Sequence, residues 1–256
     1  MKLHCLGTAG YHPNDTRHTS CYFIPEKNFV LDAGSGFYRI GKLVRGETLH
    51  VFLSHSHLDH VLGLTFVLDL VATSQLSNIH LYAQAEKAEA IRNHLLHPML
   101  FPVVPAFHWH ILEELGNVFT IDDARIEWFP LEHPGGSVGF RFDWKTTSLA
   151  YVTDTTCSVD SAYWKCVQGV EWLLHECNFS DADKELAIKT GHSWTTAVLQ
   201  AAFKARIQRL LLSHFNPLAE GMDPIQLTES TAASLRETPS EILLATDGLV
   251  LDLDRL

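Results

Sequence analysis

The chain has 256 residues, of which 46% are hydrophobic, and its 30 acidic against 19 basic side chains give a formal charge of −11. This apolar content is enough for a buried core and excludes a long disordered chain, while the acidic balance leaves no overall basic footprint for nucleic acid. Sixteen histidines, almost as many as lysine and arginine together, indicate metal chemistry with nitrogen and oxygen ligands.

Cysteine usage and hydropathy bear on where the protein works. The five cysteines are scattered and form no CxxC pair, which argues against a disulfide framework and a cysteine-based zinc knuckle. The N-terminus lacks a stretch of signal-peptide length, and the most apolar segment, 61–72, is interrupted by Asp69 and too short to span a bilayer. We expect a cytoplasmic protein without membrane contact, folded as a single domain over residues 1–256.

Short apolar segments and helical patterns alternate along most of the chain. The N-terminal part predicts antiparallel strands, and the rest predicts strand–helix alternation, which together favour an α/β fold with more than one sheet. The predicted elements are strands at 3–6, 20–24, 29–31 and 49–54, helices at 58–72 and 83–96, strands at 126–132, 138–144, 148–153 and 172–175, a helix at 195–207, a strand at 209–213, a helix at 225–236, and a pair of strands within 241–253 around the Asp-Gly turn at 247–248.

The segment after the strand at 49–54 concentrates candidate metal ligands: His55, His57, Asp59 and His60. His55 and His57 are two residues apart in extended or loop backbone, so their side chains can converge on one point. Asp59 and His60 fall in the first turn of the next helix and point elsewhere. Such a segment can supply two ligands to each of two adjacent metal ions. The alternative is a solvated polar loop.

This segment resembles the H-x-H-x-D-H motif of the metallo-β-lactamase superfamily, and three later residues extend the resemblance. His133 follows the strand at 126–132, Asp154 ends the strand at 148–153, and His214 ends the strand at 209–213. The resemblance implies a four-layer αββα sandwich holding two divalent metal ions, with zinc favoured and manganese or iron as alternatives. It assigns His55, His57 and His133 to the first ion, Asp59, His60 and His214 to the second, and Asp154 to both.

Further segments are similar to the ribonuclease Z-like branch of that superfamily. They are residues 7–10, 19–22 and 31–36, the His-Glu-Cys-Asn-Phe run at 175–179, and the Gly-His-Ser run at 191–193, where Trp194 replaces the usual threonine. This branch hydrolyses phosphodiester bonds and includes tRNA 3′-end processing nucleases and small cyclic phosphodiesterases. Lactonases, thioesterases and a non-enzymatic scaffold are the remaining alternatives.

The resemblance also implies roles in catalysis. A hydroxide that bridges the two metals would attack phosphorus, and Asp59 would orient it or accept its proton. His192, held by Glu176, would protonate the leaving oxygen. The alternatives are a loop position before a helix capped by Ser193 for His192, and a buried salt bridge for Glu176.

The substrate is predicted from what the chain lacks. The tRNA nucleases usually carry a long flexible arm between the motifs that match His133 and Asp154, and here a hairpin-sized segment, 134–153, separates them. Together with the charge of −11, this favours small or cyclic phosphodiesters as substrates. An endoribonuclease acting on tRNA precursors or other RNA is the alternative, and a homodimer, common in this branch, is left open.

For two other features the sequence favours a structural interpretation. The proline-rich apolar segment 97–110 predicts a loop packed over the core, with a wall of the substrate pocket or a dimer contact as alternatives. His108 and His110 alternate as in a strand and are not assigned as ligands. Asp247 is predicted to be structural.

Overall fold

The chain forms two units, each built around one mixed sheet. The computed structural model describes residues 1–103, 105–219, 221–227 and 239–255. The first unit comprises Met1–Asn117 and Thr246–Leu256, and the second comprises Val118–Ala245. The prediction of a single domain over 1–256 stays a prediction.

Strands outnumber α-helices among the described residues. They are β1 (Lys2–Gly7), β2 (Cys21–Ile24), β3 (Phe29–Leu31), β4 (Thr48–Phe52), β5 (Asn78–Ala83), β6 (Phe107–Ile111), β7 (Val118–Ile121), β8 (Ala124–Leu131), β9 (Ser137–Asp143), β10 (Ser148–Val152), β11 (Trp172–Glu176), β12 (Arg209–Ser213), β13 (Glu241–Leu244) and β14 (Val250–Asp252). The α-helices are α1 (Leu58–Val61), α2 (Val67–Thr73), α3 (Ala85–Ala90), α4 (Leu112–Leu115), α5 (Trp164–Val167), α6 (Lys184–Thr190) and α7 (Thr195–Lys204).

The first sheet has the strand order β14-β1-β2-β3-β4-β5-β6. Neighbours from β14 to β3 are antiparallel, and those from β3 to β6 are parallel. Alternate residues of β4 and β5, such as Val51 and Leu81, belong to a buried cluster with Leu64, Val67 and Ile91 of the following helical segments. Each such side chain contributes roughly 1.5–3 kcal/mol by leaving water.

The second sheet has the order β13-β12-β11-β10-β9-β8-β7. Here β7 to β10 form an antiparallel meander, and β10 to β13 are parallel. Every residue of β10 and β11 is buried, which explains their nearly continuous apolar sequences. Parallel strands end at one edge of a sheet, so the residues after β10, β11 and β12 meet there.

The predicted α/β class is confirmed, and most strands lie within two residues of their predicted bounds. The helix predicted at 58–72 is broken into α1, a 3₁₀ segment at Leu62–Phe66, and α2. A Cβ on Gly63 would lie 2.3 Å from Cβ of Phe37, so this close approach sets the path of the segment. The helix predicted at 83–96 starts at Ala85 and ends in a π-helical turn at Ile91–Leu95.

Three other predicted segments differ from the structure or lie largely outside the residues it describes. The strand pair predicted within 241–253 is wrong as a hairpin, because β13 pairs with β12 and β14 pairs with β1. The helix predicted at 225–236 falls largely outside the described residues. In the segment predicted to pack over the core, Phe101 packs against the core, but Met99 and Leu100 are 85% and 74% exposed.

Among the described helices, none has the length and apolarity needed to cross a membrane.

Asp247 fastens the C-terminal segment of the first unit. Its carboxylate accepts hydrogen bonds from Thr8 Oγ1 at 2.8 Å, from the His18 backbone N–H at 2.8 Å and from Arg39 Nη1 at 2.7 Å. The Asp247 side chain is only 6% exposed. The structural role predicted for this residue is therefore visible in its contacts.

We expect Asp247→Ala to lower the free energy of unfolding by about 2 kcal/mol. The loss falls below the roughly 3–5 kcal/mol typical of a broken buried pair because the Arg39 side chain is 31% exposed. Urea unfolding measures it. The control is Asp160→Ala, which breaks an exposed pair with Lys204 and should cost less than about 1 kcal/mol. Equal losses in the two variants would contradict the prediction.

Candidate metal centre

In the first unit, the loop between β4 and α1 brings its four candidate ligands together. The rings of His55 and His57 lie edge to face with centroids 4.4 Å apart. His60 Nε2 lies 3.2 Å from Asp59 Oδ2. His57 has extended backbone immediately before α1, so the chain turns between the two pairs. His55 also lies close to His60, with ring centroids 4.3 Å apart, so the three rings form one cluster and the division of the ligands between two ions stays a prediction.

Asp32 holds this loop from beneath. Its fully buried carboxylate accepts hydrogen bonds from the Ser54 backbone N–H and hydroxyl, both at 2.7 Å, and from His60 Nδ1 at 2.7 Å. Since a carboxylate only accepts, His60 carries its proton on Nδ1 and turns the lone pair of Nε2 towards Asp59. A carboxylate behind a histidine in this way orients it as a metal ligand. The sequence did not assign Asp32, although the residue lies in the 31–36 segment that it singled out.

In the second unit, Asp154 lies against two imidazoles. His133 Nε2 is 3.6 Å from Asp154 Oδ2, and His214 Nε2 is 3.2 Å from Asp154 Oδ1. Each carboxylate oxygen therefore faces a different histidine, which is the arrangement of a carboxylate that bridges two ions. All three side chains are at least 97% buried. Two buried imidazoles and a carboxylate form a donor set that suits zinc and related divalent ions.

Two of these candidate ligands also have an unfavourable backbone conformation. Asp154 and His214, which follow β10 and β12, have φ values of 39° and 58° in the left-handed region. For residues other than glycine, such conformations cost of the order of 1–3 kcal/mol and cluster at functional sites. Asn178 Nδ2 donates to the His214 carbonyl at 2.9 Å and helps to hold this bend.

Glu176 organises the loops around these ligands. Its buried carboxylate accepts backbone N–H groups from Thr155 at 2.8 Å, Asn178 at 3.1 Å and Ser193 at 3.2 Å. It also accepts His192 Nδ1 at 3.1 Å. Burial by itself raises the pKa of Glu176, but the charge of His192, the hydrogen bond to it and the charge of His214 together lower that pKa below its ordinary value.

His192 lies between the two histidines that face Asp154. Its ring centroid is 5.1 Å from that of His133 and 5.4 Å from that of His214. Because Nδ1 is held by Glu176, Nε2 is the nitrogen left to act on a bound molecule. His175, by contrast, is fully buried and stacks on Trp164. Its Nδ1–H donates to the Glu176 carbonyl at 2.6 Å, so its Nε2 accepts from the Tyr163 hydroxyl at 2.8 Å, which is a packing role.

Gly191 brings the His192 loop against His133. Its carbonyl accepts His133 Nδ1–H at 2.9 Å, which leaves Nε2 of His133 as the ligand atom. The backbone of Gly191 has φ of 79°, and a Cβ there would lie 2.1 Å from Pro134 Cδ and 3.0 Å from His133 Nδ1. Only glycine therefore fits this contact without displacement.

Comparisons with known proteins bear on the family and the fold of the chain. A family model described as the β-lactamase superfamily domain matches residues 27–215. Ribonuclease Z of Crocosphaera subtropica is 24% identical in an alignment that covers 100% of this chain and 99% of that protein.

Solved structures share the fold. The short form of human tRNase Z is 22% identical, with a TM-score of 0.75 and coverage of 99% of both chains. A diphosphatase from the PhnP family is 19% identical, with a TM-score of 0.70 and coverage of 98% of this chain and 96% of that one. The metallo-β-lactamase type of fold is thereby confirmed.

We expect Gly191→Ala to destabilise the second unit and to weaken metal binding, because the added methyl group displaces His133. Gly169→Ala is the matched control: Gly169 has φ of 74° in the same unit, and its Cβ would meet nothing within 4 Å. That control should cost only the roughly 1 kcal/mol of a left-handed alanine. Thermal unfolding and bound metal per chain measure both. Equal metal content in the two variants would contradict the role of Gly191.

Proposed function

The chain belongs to the β-lactamase superfamily, and on that premise we propose that it is a metal-dependent phosphodiesterase that cleaves RNA, similar to ribonuclease Z. The observation that carries this proposal is the pair His192–Glu176. A buried carboxylate fixes one nitrogen of an imidazole whose ring lies beside two candidate ligands, as a proton donor to a leaving oxygen requires.

The order of the two substrate hypotheses changes. The sequence favoured small or cyclic phosphodiesters over RNA. The relatives support RNA at least as well, because proteins named ribonuclease Z and tRNase Z cover the chain almost completely, as does the PhnP-family diphosphatase. RNA therefore becomes the leading substrate class.

We propose that the seven predicted ligands hold two divalent ions, with zinc as the leading identity and manganese or iron as alternatives. Support comes from each unit taken by itself: the cluster of ligands after β4, and the carboxylate of Asp154 with one imidazole at each oxygen. When bound, two such ions supply an activated water and neutralise charge on the phosphate.

The protein's own residues complete the chemistry. Asp59, which lies beside His60 Nε2 and accepts the Tyr11 backbone N–H, orients the water or accepts its proton. His192 donates the proton on Nε2 to the departing oxygen. Glu176 holds the opposite nitrogen and stabilises the positive charge that the ring carries before the transfer.

Small phosphodiesters remain the second candidate because of one specific observation. The region after His133 is a plain hairpin in which four residues, 144–147, join β9 to β10. The alignment with the Crocosphaera protein has 317 positions for the 256 residues of this chain, so that relative carries segments that this chain lacks. A shorter chain with a charge of −11 offers fewer lysine and arginine contacts to the phosphates of a long polyanion.

We further propose that the protein works in the cytoplasm and that it forms a homodimer. Support for the first comes from the cysteines, which are free thiols and, apart from Cys166, buried. The homodimer rests on the ribonuclease Z-like resemblance alone.

A substrate panel tests the proposed function. The metal-loaded protein should cleave a tRNA precursor with a higher kcat/KM than it shows for a 2′,3′-cyclic nucleotide or bis(p-nitrophenyl) phosphate. Chelator-treated protein is the control and should act on none of them. Faster turnover of the cyclic nucleotide, with no cleavage of the precursor, would replace the ribonuclease proposal with the second candidate.

His192→Ala should retain the metal content of the wild type and lose about 10²–10⁴-fold in kcat, which is the usual contribution of a general acid. Asp154→Ala should lose metal and activity together, and His97→Ala, which removes an exposed histidine, should change neither. Metal analysis and initial rates on a diester with a poor leaving group measure these effects. Wild-type turnover by His192→Ala would refute its role as the acid.

A further inference from the structure

Tyr11 is an exposed aromatic residue of the first unit that the proposed mechanism does not use. It is 80% exposed, in a chain whose other large aromatic side chains are mostly buried or half-buried. Its backbone N–H donates to Asp59 Oδ2 at 2.8 Å, so Tyr11 lies directly beside a candidate metal ligand. The ring is therefore within reach of a molecule that binds at Asp59.

The backbone at Tyr11 is strained. Its φ is 62°, and the His12 N–H donates to the Gly10 carbonyl at 2.8 Å, across Tyr11. A hydrogen bond of this span around a positive φ defines the rare and strained form of the γ-turn. Glycine adopts such a φ at lower cost, and a ring that faces solvent adds little packing to offset the strain. Strain at a residue without a packing role indicates a functional position.

The surroundings of the turn restrain the Tyr11 ring. The ring of His12 lies edge to face against it, with centroids 5.0 Å apart. His12 is itself fixed, because its Nδ1–H donates to the Pro13 carbonyl at 2.9 Å. The two arms of the loop are joined where the Ala9 N–H donates to the His18 carbonyl at 2.9 Å. A ring that is ordered before a ligand arrives loses less entropy on binding.

We propose that Tyr11 stacks on a nucleobase of the substrate, next to the phosphodiester bond that is cleaved. The inference rests on the proposed function, which places that bond at the ligands beside Tyr11, and it requires a diester that carries a base. Aromatic side chains bind single-stranded nucleic acid in this way, since every base offers an aromatic face. A stacked ring adds affinity without positive charge, which suits a chain with a formal charge of −11.

Binding of a short single-stranded RNA tests the stacking. Metal-loaded His192→Ala protein is the background, because it should keep its metal and cleave slowly. Adding Tyr11→Leu, which removes the ring but keeps an apolar side chain in the turn, should raise the Kd about 5- to 150-fold, the usual contribution of one stacked base. Fluorescence anisotropy measures the Kd. Tyr11→Phe retains the ring and should bind as tightly as the background.

Removal of single bases from the RNA identifies the stacked one. The same RNA is prepared as a series in which one nucleotide at a time is abasic. One member of the series should bind equally well to the background and to Tyr11→Leu, whereas the others should retain the difference, because only a shared contact makes two changes non-additive. The ratio of the two Kd values should change little with salt, since the ring neutralises no phosphate.

The matched control is Phe203→Leu. Phe203 is 38% exposed and lies in the last turn of α7, at the end opposite to the His192 loop, so its loss should leave the Kd unchanged. Equal Kd values for Tyr11→Leu and the background would overturn the inference. A difference that persists with every abasic RNA, an equal loss in the control, or no RNA binding by the background would overturn it as well.

The binding assay needs no cleavage, so failure of the ribonuclease proposal is measured separately. RNA binding that depends on Tyr11 and on one base, together with no cleavage of RNA by the wild type, would remove the ribonuclease proposal and leave the stacking role of Tyr11 in place.

Discussion

Buried carboxylates that are saturated with hydrogen-bond donors hold the ligand-bearing loops in both units. Asp32 does this in the first unit and Glu176 in the second, and each accepts backbone N–H groups as well as one imidazole. A buried carboxylate without hydrogen-bond donors would cost several kcal/mol. A shift of these loops would remove the donors and leave the charge buried and unpaired, so the carboxylates hold the loops in place. The same bonds fix which nitrogen of His60 and of His192 carries a proton. Loop geometry and histidine chemistry are thus set by one interaction in each unit.

The strained residues beside these carboxylates follow from that constraint. Asp154 and His214 leave their strands in left-handed conformations that are unfavourable by themselves. The parallel strands β10, β11 and β12 end at one edge. There Glu176 accepts the backbone N–H of Thr155, next to Asp154, and that of Asn178, whose side chain donates to the His214 carbonyl. Regular packing of buried strands therefore supports an irregular edge, at which Asp154 and His214, two candidate ligands of the second unit, stand.

Local sequence signals were sufficient for the parts of this arrangement that lie at strand ends. His55, His57, Asp59 and His60 follow a buried strand within six residues, and such clustering needs no knowledge of the tertiary structure. Asp32 could not be assigned in this way, because its role arises from contact with residues more than twenty positions later. The Asp-Gly turn at 247–248 predicted a hairpin on local grounds, yet contacts of Asp247 with Thr8 and Arg39 place β14 beside β1.

RNA and small diesters as substrates differ in how the protein would bind them more than in how it would cleave the phosphodiester bond. In the proposed mechanism, His192, Glu176 and Asp154 would act at one phosphate and would treat either substrate alike. Long RNA gains most of its affinity from phosphates beyond the cleaved one, through lysine and arginine contacts that release counterions. A chain with 19 basic residues among 256, and with a four-residue turn between β9 and β10, has few such contacts to offer at a distance. If RNA is the substrate, recognition therefore rests on the few nucleotides next to the scissile bond, where the proposed divalent ions offset the acidic charge of the chain.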